Sequence, residues 1–208
     1  MKSLDEIGLT AGVGGDKASD RHNYLNRYEP FFEPFRELPI RLLEIGIENG
    51  YSVRIWLEYF PRATIYGVDL LSQPFEDGRF KFMQGDQNSV EFWNVYLGRK
   101  EWGFDIIIDD GSHRTKGIVT SFHMLFPALK SGGYYIIEDL STAYMKGYQD
   151  EGYASQMEAV FDLAHHMNSQ LAYRPPHWEP LLFPAWTTTD FGIDWIQLSE
   201  ELAIIKKK

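Results

Sequence analysis

Short apolar runs alternate with amphipathic helical stretches along most of the chain. Five such runs cover 42–45, 64–68, 80–83, 104–108 and 134–137. Between them, 52–60 and 89–97 have helical spacing, and Ile118, Phe122, Leu125 and Leu129 mark one face of a further helix that Gly132 and Gly133 would end. Continuous apolar strands joined by helices predict parallel strands buried on both faces, built as βαβ units. Two later runs, 195–198 and 202–205, are separated by the polar turn Ser199-Glu200-Glu201 and predict a hairpin. The expected fold is α/β and Rossmann-like, a largely parallel seven-stranded sheet closed by an antiparallel C-terminal hairpin. One domain over 1–208 is expected. Its 1–36 segment would be a glycine-rich, flexible or ligand-ordered stretch (Gly8, Gly12, Gly14, Gly15) followed by a helix over 19–36 kinked at Pro30. Residues 141–190, a loop, a helix over 153–171 and a proline-rich irregular stretch, would lie on the substrate side.

The ends of the runs carry the chemistry. In a parallel sheet, ligands bind beyond the carboxyl ends of the strands. The fourth run stops at Asp109 and Asp110, followed by Gly111, Ser112 and His113, and the fifth stops at Glu138 and Asp139. Four carboxylates and a histidine side by side would repel one another unless a cation were present. That pattern predicts a metal site with a base beside it. The first run leads through Glu44 into a turn bounded by Gly46 and Gly50, and the second stops at Asp69, where an acid can hold ribose hydroxyls. Glu48 and Asn49 occupy the places where a pyrophosphate-binding GxGxxG would need glycine, and Glu44 disfavours an anionic group. A nucleoside with a positive sulfonium, S-adenosylmethionine, suits this acidic mouth better than NAD. Asp86, after the third run, would meet an adenine amino group or else cap the helix that follows. His165 and His166, adjacent on one helix, point in different directions and cannot chelate together.

Composition narrows the classes. Thirty acidic against twenty basic residues give a formal charge of −10, which argues against nucleic acid and anionic membrane as partners. The absence of cysteine excludes thiolate catalysis, disulfides and cysteine metal sites. No signal pattern or membrane-length apolar run is present, so a cytoplasmic protein is expected.

The motifs together resemble a known family. GGDK at 14–17, YEPFFEPFR, LLEIGIENG, YGVDL, GDQ, IDDGSH, LFPALKSGG and IEDL follow in the order seen in class I S-adenosylmethionine-dependent methyltransferases, specifically the metal-dependent sugar O-methyltransferases of macrocin and mycinamicin type, with their cephalosporin hydroxylase-like relatives. The likeness runs from Gly14 to the C-terminus; GDK stands where the family commonly has GTDK, and no extra N-terminal domain is expected. It implies methyl transfer from S-adenosylmethionine to a sugar hydroxyl of a glycosylated natural product or nucleotide sugar. It further implies Mg2+ held by Asp110, Glu138 and Asp139, His113 as general base, and Glu44, Gly46, Gly50, Asp69, Asp86 and Asp109 around the cofactor. A small-molecule acceptor is the expected partner, and a homo-oligomer is left open. A catechol-type methyltransferase, which usually has a lysine base, and a non-catalytic S-adenosylmethionine-binding protein are the alternatives.

Overall fold

The structure, a computed structural model, describes residues 1–10, 15–71, 75–98, 103–150, 155–169 and 192–208. Seven strands form one sheet: β1 (Arg41–Ile45), β2 (Thr64–Asp69), β3 (Phe80–Gln84), β4 (Phe104–Asp109), β5 (Leu129–Ile137), β6 (Ile193–Ser199) and β7 (Leu202–Lys207). Their order is β3-β2-β1-β4-β5-β7-β6. The first five pair in parallel and β7 lies antiparallel between β5 and β6. The chain leaves β1 toward β2 on one side and β3 toward β4 on the other, so the sheet has its switch point between β1 and β4. A ligand crevice is expected there.

Helices cover both faces. On one face α1 (Leu4–Gly8), α2 (Tyr24–Phe32) and α3 (Tyr51–Tyr59) pack Leu4, Leu25, Tyr28, Phe32 and Trp56 onto Leu42, Ile106, Ile108 and Ile136. On the other, α4 (Val90–Leu97), α5 (Thr115–Leu125) and α6 (Gln156–Ser169) pack Trp93, Phe122, Leu125 and Val160 onto Leu43, Ile107, Tyr135 and Ile137. Alternate residues of each strand thus feed opposite cores, the period-two rule of the pleat. Among the described residues, no helix is long and apolar enough to cross a membrane.

Several boundaries differ from expectation. The glycine-rich start contains α1, fixed by a capping box in which Ser3 accepts from the Glu6 amide and Glu6 accepts from that of Ser3. Residues 11–14 of that stretch, and 173–189, lie outside the described residues. The helix expected over 19–36 is only Tyr24–Phe32, continuous through Pro30, with a 3₁₀ turn Glu33–Phe35 after it. Helix α5 ends at Leu125, because Phe126-Pro127-Ala128 forms a 3₁₀ turn. Gly132 and Gly133 belong instead to β5, at the irregularity where pairing jumps from Phe104–Leu129 to Ile106–Tyr134. Ser89 rather than Asp86 caps α4, its hydroxyl accepting from the Phe92 amide.

Candidate active site

The carboxyl ends of β1, β2, β4 and β5 open onto a cavity of about 610 Å³, reaching from Asp69 past Gly46 to Asp110, His113 and Asp139. A smaller cavity of about 120 Å³ adjoins it through Gly46, Asp69 and Gly111 and ends at Asp86 and Asn88. The close approach of these walls depends on Gly46, which has φ +78°; a Cβ there would meet the Asp110 carbonyl oxygen at 2.1 Å. Asp69 shapes the same turn. Its Oδ2 accepts from the amides of Ile47 and Glu48 at 2.9 and 3.0 Å, and its Oδ1 from Leu71 at 2.8 Å. Asp86 Oδ1 accepts from both the amide and the side chain of Asn88, each at 2.8 Å.

At the other end of the large cavity three side chains converge. His113 Nε2 lies 3.4 Å from Asp139 Oδ2 and 3.9 Å from Asp110 Oδ1. His113 does not stand on the helix, which begins two residues later at Thr115; a left-handed turn at φ +51° swings its ring over Asp110. Its carbonyl is pinned by the Thr142 hydroxyl at 3.3 Å and by the Gln156 side-chain amide. Asp139 is likewise left-handed, at φ +57°. Two non-glycine residues in that sparsely populated region, facing each other, are strain concentrated where chemistry is expected.

Behind them lies a buried charge cluster. Lys17 Nζ donates to Asp110 Oδ2 and Glu138 Oε2, both at 2.5 Å, and lies 3.8 Å from Glu44 Oε1. Glu138 Oε1 accepts from the Tyr28 hydroxyl at 2.5 Å. Glu44 Oε2 accepts from Ser52 Oγ at 2.7 Å and Trp56 Nε1 at 3.0 Å. Burial works against the Lys17 ammonium, but Asp110, Glu138 and Glu44 outweigh it and hold its pKa well above the ordinary lysine value. Burial, only partly offset by Lys17, pushes Glu44 up to about 7. Burial and repulsion from Asp110 push Glu138 well up as well.

The expected site residues therefore divide. Gly46, Asp69, Asp86, Asp110, His113 and Asp139 line the cavities. Glu44 and Glu138 are buried in the charge cluster behind them, and Gly50 is the N-cap of α3 at φ +72°. Asp109 does not face either cavity: its carboxylate accepts from Ser121, from Gln87 Nε2 at 3.1 Å and from the Tyr135 hydroxyl at 3.1 Å, on the α5 side of the sheet. The placement of Asp109 at the cofactor's methionine end is corrected accordingly, because strand alternation turns it into the core. Sequence reasoning assigned no role to Lys17, Tyr24, Tyr28 or Gln87. Gln87 links the Asp86 loop to the His113 loop, donating to Asp109 and accepting from the Ser112 amide at 2.5 Å.

The donor chemistry fits a hard divalent cation. Ligand atoms of Asp110, His113 and Asp139 lie within 4.8 Å of one another, and so do those of Glu44, Asp110 and Glu138. Lys17 brings one positive charge to Glu44, Asp110 and Glu138, and the raised pKa values of Glu44 and Glu138 mark carboxyl groups whose ionised form this one ammonium does not fully stabilise. Carboxylate oxygens are the ligands that magnesium prefers. The residues present suit that ion.

No family model matches the chain. Over 135 residues it is 41% identical to mycinamicin VI 2''-O-methyltransferase of Micromonospora griseorubida, an alignment covering 61% of this chain and 34% of that protein. Over 148 residues it is 40% identical to demethylmacrocin O-methyltransferase of Streptomyces fradiae, covering 67% of this chain and 37% of that one. The chain thus spans little more than a third of the length of the curated relatives it matches. Among solved structures, the MycE methyltransferase from the mycinamycin biosynthetic pathway, in complex with Mg and SAH, superposes with a TM-score of 0.83 at 29% identity, covering 99% of this chain and 54% of that one. Over the aligned stretches the chain is thus similar to the mycinamicin- and macrocin-type O-methyltransferases, and it has the α/β methyltransferase fold of MycE.

Proposed function

We propose that this protein transfers a methyl group from S-adenosylmethionine to a hydroxyl of a sugar carried by a natural product or nucleotide, with Mg2+ at the acceptor and His113 as general base. The observation that carries this reading is the convergence of Asp110, His113 and Asp139 at one end of a cavity whose other end is Asp69 and Asp86. The relatives named above are O-methyltransferases of mycinamicin VI and demethylmacrocin, which supports a glycosylated natural product as the acceptor.

The bound cofactor would supply the methyl group, and bound magnesium would polarise the acceptor hydroxyl. Asp110 and Asp139 would hold the ion, with Glu138 behind Asp110. Asp69 would accept from the ribose hydroxyls, while its bonds to the Ile47 and Glu48 amides keep the turn in place. Asp86 would accept from the adenine amino group. The proton of the reacting hydroxyl would go to His113 Nε2, the ring nitrogen that faces Asp110 and Asp139. The pinned His113 carbonyl keeps the ring on station.

The test is methyl transfer with S-adenosylmethionine, Mg2+ and a panel of nucleotide sugars and glycosylated natural products, with EDTA and His113→Ala as controls. Turnover should require the metal, and His113→Ala should lower kcat roughly 100- to 10,000-fold, the usual range for losing a general base. Its affinity for S-adenosylhomocysteine, measured by calorimetry, should stay within about 2-fold of wild type, because the base is aimed at the acceptor. Absence of S-adenosylhomocysteine binding would sink the reading. Full turnover by His113→Ala would end the general-base assignment.

A further inference from the structure

We infer that Tyr24, backed by Glu201 and His22, is a positioning residue that fixes the Asp139 carboxylate for the divalent cation; this rests on the magnesium reading above. The three residues come from distant parts of the chain. His22 and Tyr24 flank the start of α2, and Glu201 sits at the tip of the β6–β7 hairpin in a left-handed conformation at φ +60°. The Tyr24 hydroxyl donates to Asp139 Oδ1 at 2.7 Å and lies 3.3 Å from Glu201 Oε2, while the Asp139 amide reaches its oxygen at 3.4 Å. Glu201 Oε2 is in turn paired with His22 Nδ1 at 2.7 Å. The Glu201 carbonyl accepts from the Leu140 amide at 3.0 Å, tying the hairpin tip to the residue after Asp139.

The consequence lies in how the oxygens are shared out. With Oδ1 held by the phenol, Asp139 keeps Oδ2 turned toward His113 at 3.4 Å, on the cavity side. Glu201 lies close enough to Asp139 and His22 for the three to form a ligand-like group. Its Oε2, however, already has His22 Nδ1 at 2.7 Å and the Tyr24 hydroxyl at 3.3 Å, so it stands as a partner of the phenol.

Packing alone does not need the hydroxyl. The Tyr24 ring is buried, stacks on His22 at 5.2 Å and meets Tyr28 at 6.2 Å, contacts that phenylalanine would keep. The oxygen is what only tyrosine adds, and its short bond goes to Asp139. Partners of this kind, one bond removed from an ion, commonly change affinity 10- to 100-fold when removed.

The experiment is Mn2+ titration by calorimetry on the full chain with S-adenosylhomocysteine present, for wild type, Tyr24→Phe, Asp139→Asn and the double variant. Tyr24→Phe should weaken Mn2+ binding by roughly 10-fold. Its S-adenosylhomocysteine affinity should be unchanged, and its melting temperature in EDTA should fall by no more than the loss of one hydrogen bond gives. In the Asp139→Asn background the same change should have no further effect, because the carboxylate it serves is gone. Wild-type Mn2+ affinity in Tyr24→Phe, or a loss that adds undiminished to that of Asp139→Asn, overturns the inference while leaving the magnesium reading intact. A wild-type protein that binds no Mn2+ overturns both.

Discussion

Replacing Lys17 by methionine separates the charge cluster from the packing around it. Methionine has nearly the length of the lysine stem, so the change removes the ammonium and leaves the volume. The ammonium is 3% exposed, bonded to Asp110 and Glu138 at 2.5 Å and 3.8 Å from Glu44. Breaking a buried pair by deleting one partner costs about 3–5 kcal/mol, because the remaining charge stays buried and uncompensated. Two carboxylates lose a direct bond here, which places the expected loss toward the upper end. Against a total stability of about 5–15 kcal/mol for a domain, the variant should fold but melt well below wild type. Magnesium should then restore part of the loss, since a cation bound to the folded state alone stabilises it by mass action.

The pH dependence has a definite sign. Glu44 is raised from 4.5 to about 7 in the folded protein, mainly by burial, and Lys17 is the main influence lowering it. Lys17 also opposes the raised pKa of Glu138. A carboxyl group whose pKa is raised by folding contributes stability that is present below its unfolded value and lost as pH rises through the folded one. For Glu44 in the wild type that window is 4.5 to about 7. Without Lys17 both acids rise further, so the variant should keep losing stability above pH 7, where the Glu44 share of the wild-type loss is complete. Urea denaturation of both proteins in EDTA, at about pH 5.5 and about pH 8.5, measures this. A penalty under about 1 kcal/mol, or one that grows on acidification, would refute the account of Lys17 as the cluster's counter-cation.

Two further perturbations test the cofactor side. Gly46→Ala should cost about 2–5 kcal/mol, from left-handed strain plus the 2.1 Å clash with the Asp110 carbonyl oxygen; thermal unfolding reads it, and a wild-type melting temperature would contradict the close approach. Asp69→Ala should weaken S-adenosylhomocysteine binding at least about 10-fold, since the turn anchor is lost and with it the ribose acceptor proposed above; calorimetry showing unchanged affinity would remove Asp69 from the proposed cofactor site.

Much of the sheet was legible because five apolar runs between amphipathic helices leave few alternatives, and a polar turn between the last two runs allows only a hairpin. Helix boundaries were less legible because glycine is only one of several competing start and stop signals. Pro127 ends α5 several residues before Gly132, and the Ser3–Glu6 capping box starts a helix in a stretch judged by its glycines. At the site, the acids could be read because each pair terminates an apolar run. Lys17, Tyr24 and Tyr28 could not be placed, since they reach the strand ends from α2 and the segment before it, across more than a hundred residues of sequence. One signal was available: tyrosines four apart on the apolar face of a helix carry hydroxyls that need buried partners. Those partners are Glu138 for Tyr28 and Asp139 for Tyr24.

The adjacent acids invite a reading as four equivalent carboxylates around one ion, and strand geometry rules that out. Residues one apart in a strand face opposite layers. Asp109, paired with Ile137 in register, shares the α5 side with Ile107 and Tyr135, where Ser121, Gln87 and Tyr135 occupy its carboxylate. Asp110 and Glu138 turn to the other layer, where Lys17 joins them. At Asp139 the left-handed backbone breaks the alternation, and the side chain swings to the cavity rim within reach of His113. Each pair therefore sends one carboxylate to the rim, Asp110 and Asp139, each with a fifth of its side chain exposed, and keeps the other nearly sealed. An ion entering from the cavity would meet the rim pair first. Glu138, with Tyr28 and Lys17 on its two oxygens, comes into play only through the cluster behind them.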